Sequence, residues 1–164
     1  MAENYRLELA RVGLNTNNSI KGYLFVYHGE ELLGAFSTME RGHGFVYLKI
    51  GEYEMKHSKK GTKRDGQDVL CLRPTDERVR SILIHDAKTR RPSSLAGCIA
   101  PFFLGAEAYG PSSAKAMDSL WEMLGGYEYG KRGVSLVVLT NVAGDTRTKE
   151  EWIDEWAKRR SHHR

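Results

Sequence analysis

Short runs of branched and aromatic residues dominate the first hundred residues, and this pattern limits the possible folds more than any other feature of the sequence. Glycines and charged residues separate the runs, which are too short for helices. We expect strands at 5–9, 22–27, 32–36, 45–50, 53–55, 68–72 and 81–85, with a hairpin turn at 28–31. Strands joined by such short connections pair antiparallel, so the pattern predicts antiparallel sheets.

Helical periodicity begins only after residue 111. Apolar residues recur at helical spacing over 117–124, and Gly125 follows the last of them. The apolar run 134–139 predicts a final buried strand. Thr148 and Glu151 have the spacing of a capping box, which predicts that a second helix begins near residue 148.

The composition is that of one ordinary soluble domain. The chain has 164 residues, 25 Lys and Arg against 21 Asp and Glu, and a formal net charge of +4. No apolar run approaches the ~20 residues of a membrane span, and Glu3, Glu8 and Arg11 interrupt the segment where a secretory signal would lie. We therefore expect no membrane span and synthesis in the cytoplasm without a signal peptide. Two cysteines, Cys71 and Cys98, are too few for a disulfide framework.

Two segments concentrate positive charge. Residues 56–66 contain five Lys and Arg residues and are expected to form a surface loop, and residues 158–164 form a basic tail. Such a charge run is usually a solvated hairpin tip, and its alternative role is the guidance of an anionic polymer. A nucleic-acid interface is disfavoured, because no surface aromatics of the RNA-binding kind are interleaved with these charges.

The second helix carries an apolar stripe with two tryptophans. Trp152 and Trp156 lie on this stripe together with Ile153. One interpretation is that the stripe packs back on the sheet, because an exposed tryptophan pair would form an apolar patch that needs a partner. The other is that the helix is a docking surface for another protein.

One segment has the residue types of a nucleophilic site. His85 ends a short apolar strand, and Cys98 follows thirteen residues later behind the small residues Ala96 and Gly97. A free thiol has a pKa of about 8.5 and is mostly protonated at neutral pH, so an adjacent imidazole is needed to generate the thiolate. Backbone N–H groups of Ala96 and Gly97 could hold a developing oxyanion.

The spacing alone leaves other interpretations open. Cys98 could be a buried small apolar residue, as free cysteines usually are, or it could form a bridge with Cys71. A metal held by both cysteines and His85 is the weakest interpretation, because neither a CxxC nor an HxxxH pair is present. We therefore expect no metal and no cofactor.

Two motifs resemble those of a known family. Residues 84–86 and 96–99, Ile-His-Asp followed by Ala-Gly-Cys-Ile, resemble the signature of the L,D-transpeptidase (YkuD-like) superfamily, in which a strand-end histidine precedes a Ser/Thr-His-Gly-Cys segment. Gly51 and Tyr53 resemble the Pro-x-Gly-x-Tyr/Phe motif of that family. A short phage-associated branch is more similar still, through Thr-Met-Glu at 38–40.

The resemblance implies a fold and a domain organisation. It covers about residues 5 to 140 and implies a mainly β fold with α: an antiparallel β-sandwich of the L,D-transpeptidase type with one packed helix. Residues 1–141 would be the catalytic domain, and residues 142–164 would add a C-terminal amphipathic helix and the basic tail.

The same resemblance implies a cysteine enzyme that acts on the peptide stems of peptidoglycan. Cys98 would attack a stem-peptide carbonyl and form an acyl-enzyme, with His85 first as general base and then as general acid. Transfer of the acyl group to an amine makes an L,D-transpeptidase, and transfer to water makes an L,D-carboxypeptidase. The substrate lies in the periplasm or cell wall, so we expect delivery by phage lysis or by an effector system.

The sequence also departs from the family. Ala96 replaces a second histidine and Ala100 stands where an arginine is common, so Lys88 and Arg90 become candidates for binding a substrate carboxylate. Further candidates for orienting the imidazole or binding substrate are Asp86, Ser94 and Tyr53. The alternative function is a non-catalytic cell-wall or protein-binding module on the same scaffold.

Overall fold

A computed structural model describes residues 4–15, 18–41, 47–62, 68–87, 98–105, 112–126, 133–142 and 144–162. Within these ranges the chain forms seven strands and two helices. They are β1 (Tyr5–Leu14), β2 (Ile20–His28), β3 (Glu31–Glu40), β4 (Gly51–Thr62), β5 (Asp68–Pro74), β6 (Ile99–Phe103), α1 (Ser112–Met123), β7 (Val134–Val138) and α2 (Lys149–His162).

The strands form one curled, mixed sheet in the order β5-β4-β7-β1-β2-β3-β6. The expectation of a mainly β fold with α is confirmed. The expectation of purely antiparallel pairing is wrong at β7, which runs parallel to β1 and antiparallel to β4. This parallel pair joins strands that are far apart in the sequence, because β7 lies between β4 and β1 in the sheet.

A short segment joins the two edges of this sheet. Ile84 exchanges two main-chain hydrogen bonds with Leu72 of β5, at 2.9 and 3.0 Å. On its other side, the N–H of Ile99 donates to the Leu83 carbonyl at 2.8 Å and the N–H of His85 donates to the Ile99 carbonyl at 3.1 Å. Residues 82–85 therefore pair with both β5 and β6, although only Ile84 forms β-bridges.

One face of the curled sheet holds the main core. Alternating residues such as Leu7, Leu9, Leu24 and Val26 point into it and are fully buried. Leu120, Trp121 and Leu124 of the α1 region and Trp152 and Ile153 of α2 belong to the same core. The C-terminal helix therefore packs back on the sheet, and Trp152 is 4% exposed. The side chain of Trp156 lies outside the described part of the chain.

Both helices end or begin as the sequence predicts. Gly125 and Gly126 take positive φ angles of 82° and 87°, and the N–H of Gly126 donates to the Trp121 carbonyl at 2.7 Å, as in a glycine C-cap. At the start of α2, the N–H of Glu151 donates to Thr148 Oγ1 at 3.5 Å and the Thr148 hydroxyl donates to the Glu151 carboxylate at 3.2 Å. None of the described helices is long and apolar enough to cross a membrane.

Two sequence expectations need correction. Residues 56–62 belong to β4 and not to a loop, because they pair with β5, and charged side chains fit the exposed positions of a strand. Residues 63–67 lie outside the residues that the structure describes. The expected strand at 45–50 is also wrong over 47–49, where the buried side chains of Tyr47 and Lys49 make polar contacts instead of continuing a strand pattern.

The packing of α2 predicts a large loss of stability in Trp152→Ala. Truncation of a buried tryptophan leaves a cavity and should lower the free energy of unfolding by about 3–5 kcal/mol, measured by urea denaturation. The control is Asp154→Ala, which removes an exposed side chain of the same helix and should change the value by less than ~0.5 kcal/mol. Equal effects of the two variants would mean that α2 is not packed on the core.

Candidate active site

His85 lies at the end of the segment that joins the sheet edges. Its side chain is 1% exposed, and its Nδ1 lies 2.5 Å from the main-chain carbonyl oxygen of Asp86. A carbonyl oxygen only accepts hydrogen bonds, so Nδ1 carries the proton in the neutral ring. Nε2 is then the basic nitrogen of the imidazole.

Cys98 lies directly before β6 and is 5% exposed. Its Sγ accepts a hydrogen bond from the N–H of Leu83 at 3.4 Å and donates to the carbonyl of Ser81 at 3.7 Å. Leu83 packs with Cys98 and Cys71 in one small cluster, and neither cysteine forms a disulfide bond. A thiolate would keep the hydrogen bond from Leu83 and lose the one to Ser81, which needs the thiol proton.

The register of the joining segment brings His85 and Cys98 to one face. Ile84 pairs with Ile99 in parallel and points into the main core with it. Because side chains alternate along a strand, Leu83 and His85 point to the opposite face, as Cys98 does on the neighbouring strand. The structure therefore sets the two predicted catalytic residues on adjacent segments of the same sheet face.

The other predicted site residues fall into two groups. Lys88, Arg90, Ser94, Ala96 and Gly97 lie outside the described residues. Asp86 is described and half-buried, and it contacts the His85 ring through its main-chain carbonyl and not through its carboxylate.

Tyr53 is not brought together with this pair. It lies on β4, points into the main core and is 1% exposed. Its hydroxyl donates to the Lys49 carbonyl at 2.7 Å, and burial raises its pKa well above the usual range. Its hydroxyl is therefore engaged inside the core, on the face away from Cys98.

A buried ion pair, which sequence reasoning missed, lies at one end of the main core. The Arg11 guanidinium donates two hydrogen bonds of 2.8 Å to the two carboxylate oxygens of Glu40, and each side chain is 1% exposed. Arg11 also donates to the Thr140 carbonyl at 2.9 Å. The signal in the sequence is the alternation Leu7, Leu9, Arg11, which places the arginine on the inward face of β1.

Further polar groups surround this ion pair and contact α2. Lys49 Nζ lies 3.3 Å from the ring centre of Tyr47, 5.0 Å from that of Trp152 and 3.7 Å from an Asp145 carboxylate oxygen. Tyr47 donates a hydrogen bond to the Asp145 carboxylate. Arg147 also donates to this carboxylate, from Nη2 at 2.9 Å and from Nε at 3.0 Å. These charges partner one another, and the cluster connects residues 47–49 and 145–147 to α2 through Trp152 and Glu155; we call it the anchor.

The electrostatics of the anchor follow from burial and from its ion pairs. Burial lowers the pKa of Lys49 to about 8, and burial raises that of Tyr47 to about 12, with Asp145 adding to the second shift. Hydrogen bonds from Arg147 hold the pKa of Asp145 well below its usual range.

The site thus has an imidazole whose tautomer is fixed by the Asp86 carbonyl, and a hydrogen-bonded thiol on the same sheet face. A thiol and an imidazole are the two groups of a nucleophile–base pair. The described residues contain no group of three His, Cys, Asp or Glu side chains that could hold a metal ion. No protein-family model, curated protein or solved structure matches the chain. What points to a function is therefore this geometry together with the motif resemblance.

The contact between His85 and Asp86 predicts one ring tautomer. At a pH where the ring is neutral, nitrogen-15 NMR of the imidazole should show a protonated Nδ1 and an unprotonated Nε2. His85→Gln identifies the signals by removing them. A neutral ring protonated on Nε2 would contradict the geometry, because Nδ1 would then face a carbonyl oxygen without a hydrogen.

The anchor predicts a pH dependence of stability that Lys49→Met removes. The pKa of Lys49 is about 8 in the folded chain and 10.5 unfolded, so the unfolded state binds more protons between these values and stability rises with pH there. From pH 8 to 9.5, the wild type should gain about 1.5 kcal/mol relative to Lys49→Met in urea unfolding. Parallel pH curves for the two proteins would show that Lys49 titrates normally.

Proposed function

We propose that this protein is a cysteine enzyme that cleaves or exchanges the terminal residue of peptidoglycan stem peptides. The observation that carries the proposal is the pairing of residues 82–85 with β6, which sets His85 and Cys98 on the same face of neighbouring segments. The motif resemblance to L,D-transpeptidases supplies the substrate class. The finer assignment of the fold, an L,D-transpeptidase-type sandwich, belongs to this proposal.

The first half of the reaction forms a thioester. Nε2 of His85 takes the thiol proton, and the Cys98 thiolate attacks the carbonyl carbon of the penultimate stem residue. The bond from this carbon to the terminal amino acid breaks, and the His85 imidazolium returns the proton to the departing amine. The hydrogen bond from Leu83 N–H stabilises the thiolate before attack.

The second half releases the acyl group. An amine or a water molecule attacks the thioester carbonyl, His85 removes its proton, and the sulfur leaves and is reprotonated. An amine acceptor gives a transpeptidase and water gives a carboxypeptidase. Because both side chains are buried, a thiolate and an imidazolium formed here would attract each other with little screening by water.

The structure bears on the alternative of a protein-binding module through α2. That alternative needs the tryptophans of the helix at the surface, whereas Trp152 is part of the main core. The described contacts of α2 therefore favour a structural role for the helix. Delivery of the enzyme to the wall by phage lysis or as an injected effector is part of the functional proposal.

Incubation with purified tetrapeptide muropeptides tests the proposed reaction. Mass spectrometry should detect loss of the terminal D-amino acid or its exchange for an added D-amino acid. Cys98→Ala should abolish turnover, and His85→Ala should lower the rate by about 10²–10⁴-fold, because it removes general acid–base catalysis.

The matched control is Cys71→Ala, which removes the other buried thiol in the same cluster and should keep most of the activity. Unchanged muropeptides with folded wild-type protein would refute the proposed reaction. Equal turnover by wild type and Cys98→Ala would refute the assigned nucleophile.

A further inference from the structure

A cleft of about 270 Å³ opens beside the β4–β5 hairpin. Its lining includes three cationic side chains, those of Lys56, Arg73 and Arg80, against the single carboxylate of Glu77. Lys56, Arg80 and Glu77 are exposed, and Arg73 is half-buried. The surplus of positive charge makes the cleft a candidate for binding an anionic group.

One of the two arginines that line the cleft, Arg73, is held in place by hydrogen bonds to the protein. Arg73 Nε donates to Ser58 Oγ at 3.1 Å, and Nη1 donates to the Arg80 carbonyl at 2.7 Å. Both acceptors are neutral, so the guanidinium keeps its full charge, and Nη2 has no hydrogen-bond partner among the described residues. A fixed guanidinium with a free donor is suited to bind a carboxylate or phosphate oxygen.

The cationic side chains of this cleft also lie close to one another. Lys56 and Arg73 are directly opposite across β4 and β5. Like charges at such positions destabilise a sheet, and within the described ranges neither residue forms an ion pair with a carboxylate. An anion bound in the cleft would compensate both charges.

The cleft lies next to Cys98. Arg73 is bonded to the carbonyl of Arg80, and Cys98 is bonded to the carbonyl of the next residue, Ser81. Because consecutive Cα atoms are ~3.8 Å apart, the guanidinium and the thiol are on the order of 10 Å apart, which two or three extended residues of a ligand would span. Ser81, whose carbonyl accepts the hydrogen bond from the thiol, is itself exposed.

We propose that the Lys56–Arg73–Arg80 cleft is a subsite that binds a carboxylate of the ligand whose carbonyl reaches Cys98. The proposal extends the proposed function, because it takes Cys98 as the reacting group. It assigns the recognition of negative charge to β4, β5 and the turn that follows β5. It requires that anionic reagents reach the thiol faster than neutral reagents of the same size.

Alkylation by iodoacetate and by iodoacetamide tests this requirement. Both reagents form a sulfur–carbon bond and release iodide, and only iodoacetate carries a carboxylate. The rates of alkylation of Cys98 are followed by peptide mapping at low ionic strength. The iodoacetate rate divided by the iodoacetamide rate is normalised by the same quotient for N-acetylcysteine. This normalised ratio should be about five or more. High salt should reduce the ratio towards one.

Two charge-neutralising variants should remove the preference. Lys56→Gln and Arg73→Gln should each lower the normalised ratio by roughly threefold, and Lys56→Gln is the safer variant, because Lys56 is exposed and Arg73 supports the turn. The matched control is Lys21→Gln, which removes an equal charge from an exposed position on β2 and should leave the ratio unchanged.

The outcomes separate this subsite from the proposed function. A wild-type ratio near one, an unchanged ratio in Lys56→Gln, or no alkylation of Cys98 by either reagent would overturn the subsite. Turnover of muropeptides without iodoacetate preference would overturn the subsite alone. A clear preference in a protein that leaves muropeptides unchanged would retain the subsite and refute the assigned substrate.

Discussion

The main-chain hydrogen bonds that hold residues 82–85 between β5 and β6 are the interaction on which the rest of the structure depends. Without them, the curled sheet would have two open edges, each with unpaired N–H and C=O groups. They also fix which side chains face the core. A register slip of one residue would move Ile84 out of the core and turn Leu83 and His85 into it.

The two faces of the sheet differ in whether their cationic side chains are paired with carboxylates. On the core side, the buried Arg11 is paired with Glu40, and the half-buried Arg147 is paired with Asp145. Such buried pairs add little net stability, yet removal of one partner is costly, so they define the packing of loops and α2. On the other side, Lys56 and Arg73 face each other without a described carboxylate partner, which is an arrangement better suited to a ligand.

The sequence predicts the elements more accurately than their assembly. Periodicity places α1, the capping box places the start of α2, and the hairpin between His28 and Glu31 is confirmed. The parallel pairing of β7 with β1 is not predictable from either strand, because it joins strands from distant parts of the chain. The charged residues 56–62 suggest a loop, since cross-strand pairing with β5 is invisible in a single segment.

The candidate site shows the same division. The motif and spacing identify His85 and Cys98, whereas the role of the Asp86 carbonyl and the nearness of Arg73 depend on main-chain geometry that no local pattern encodes. Tyr53 is named by the motif, but it lies in the core because its strand alternates inward.

The most direct measurement of the central claim is acid-quenched trapping of the acyl-enzyme. Wild-type protein is mixed with a tetrapeptide muropeptide, quenched within seconds and analysed by intact mass and peptide mapping. The account predicts an adduct equal to the muropeptide minus its terminal residue and water, on the peptide that contains Cys98. An adduct on Cys71 would contradict it. So would product formation by the wild type without an adduct, together with full activity of Cys98→Ala.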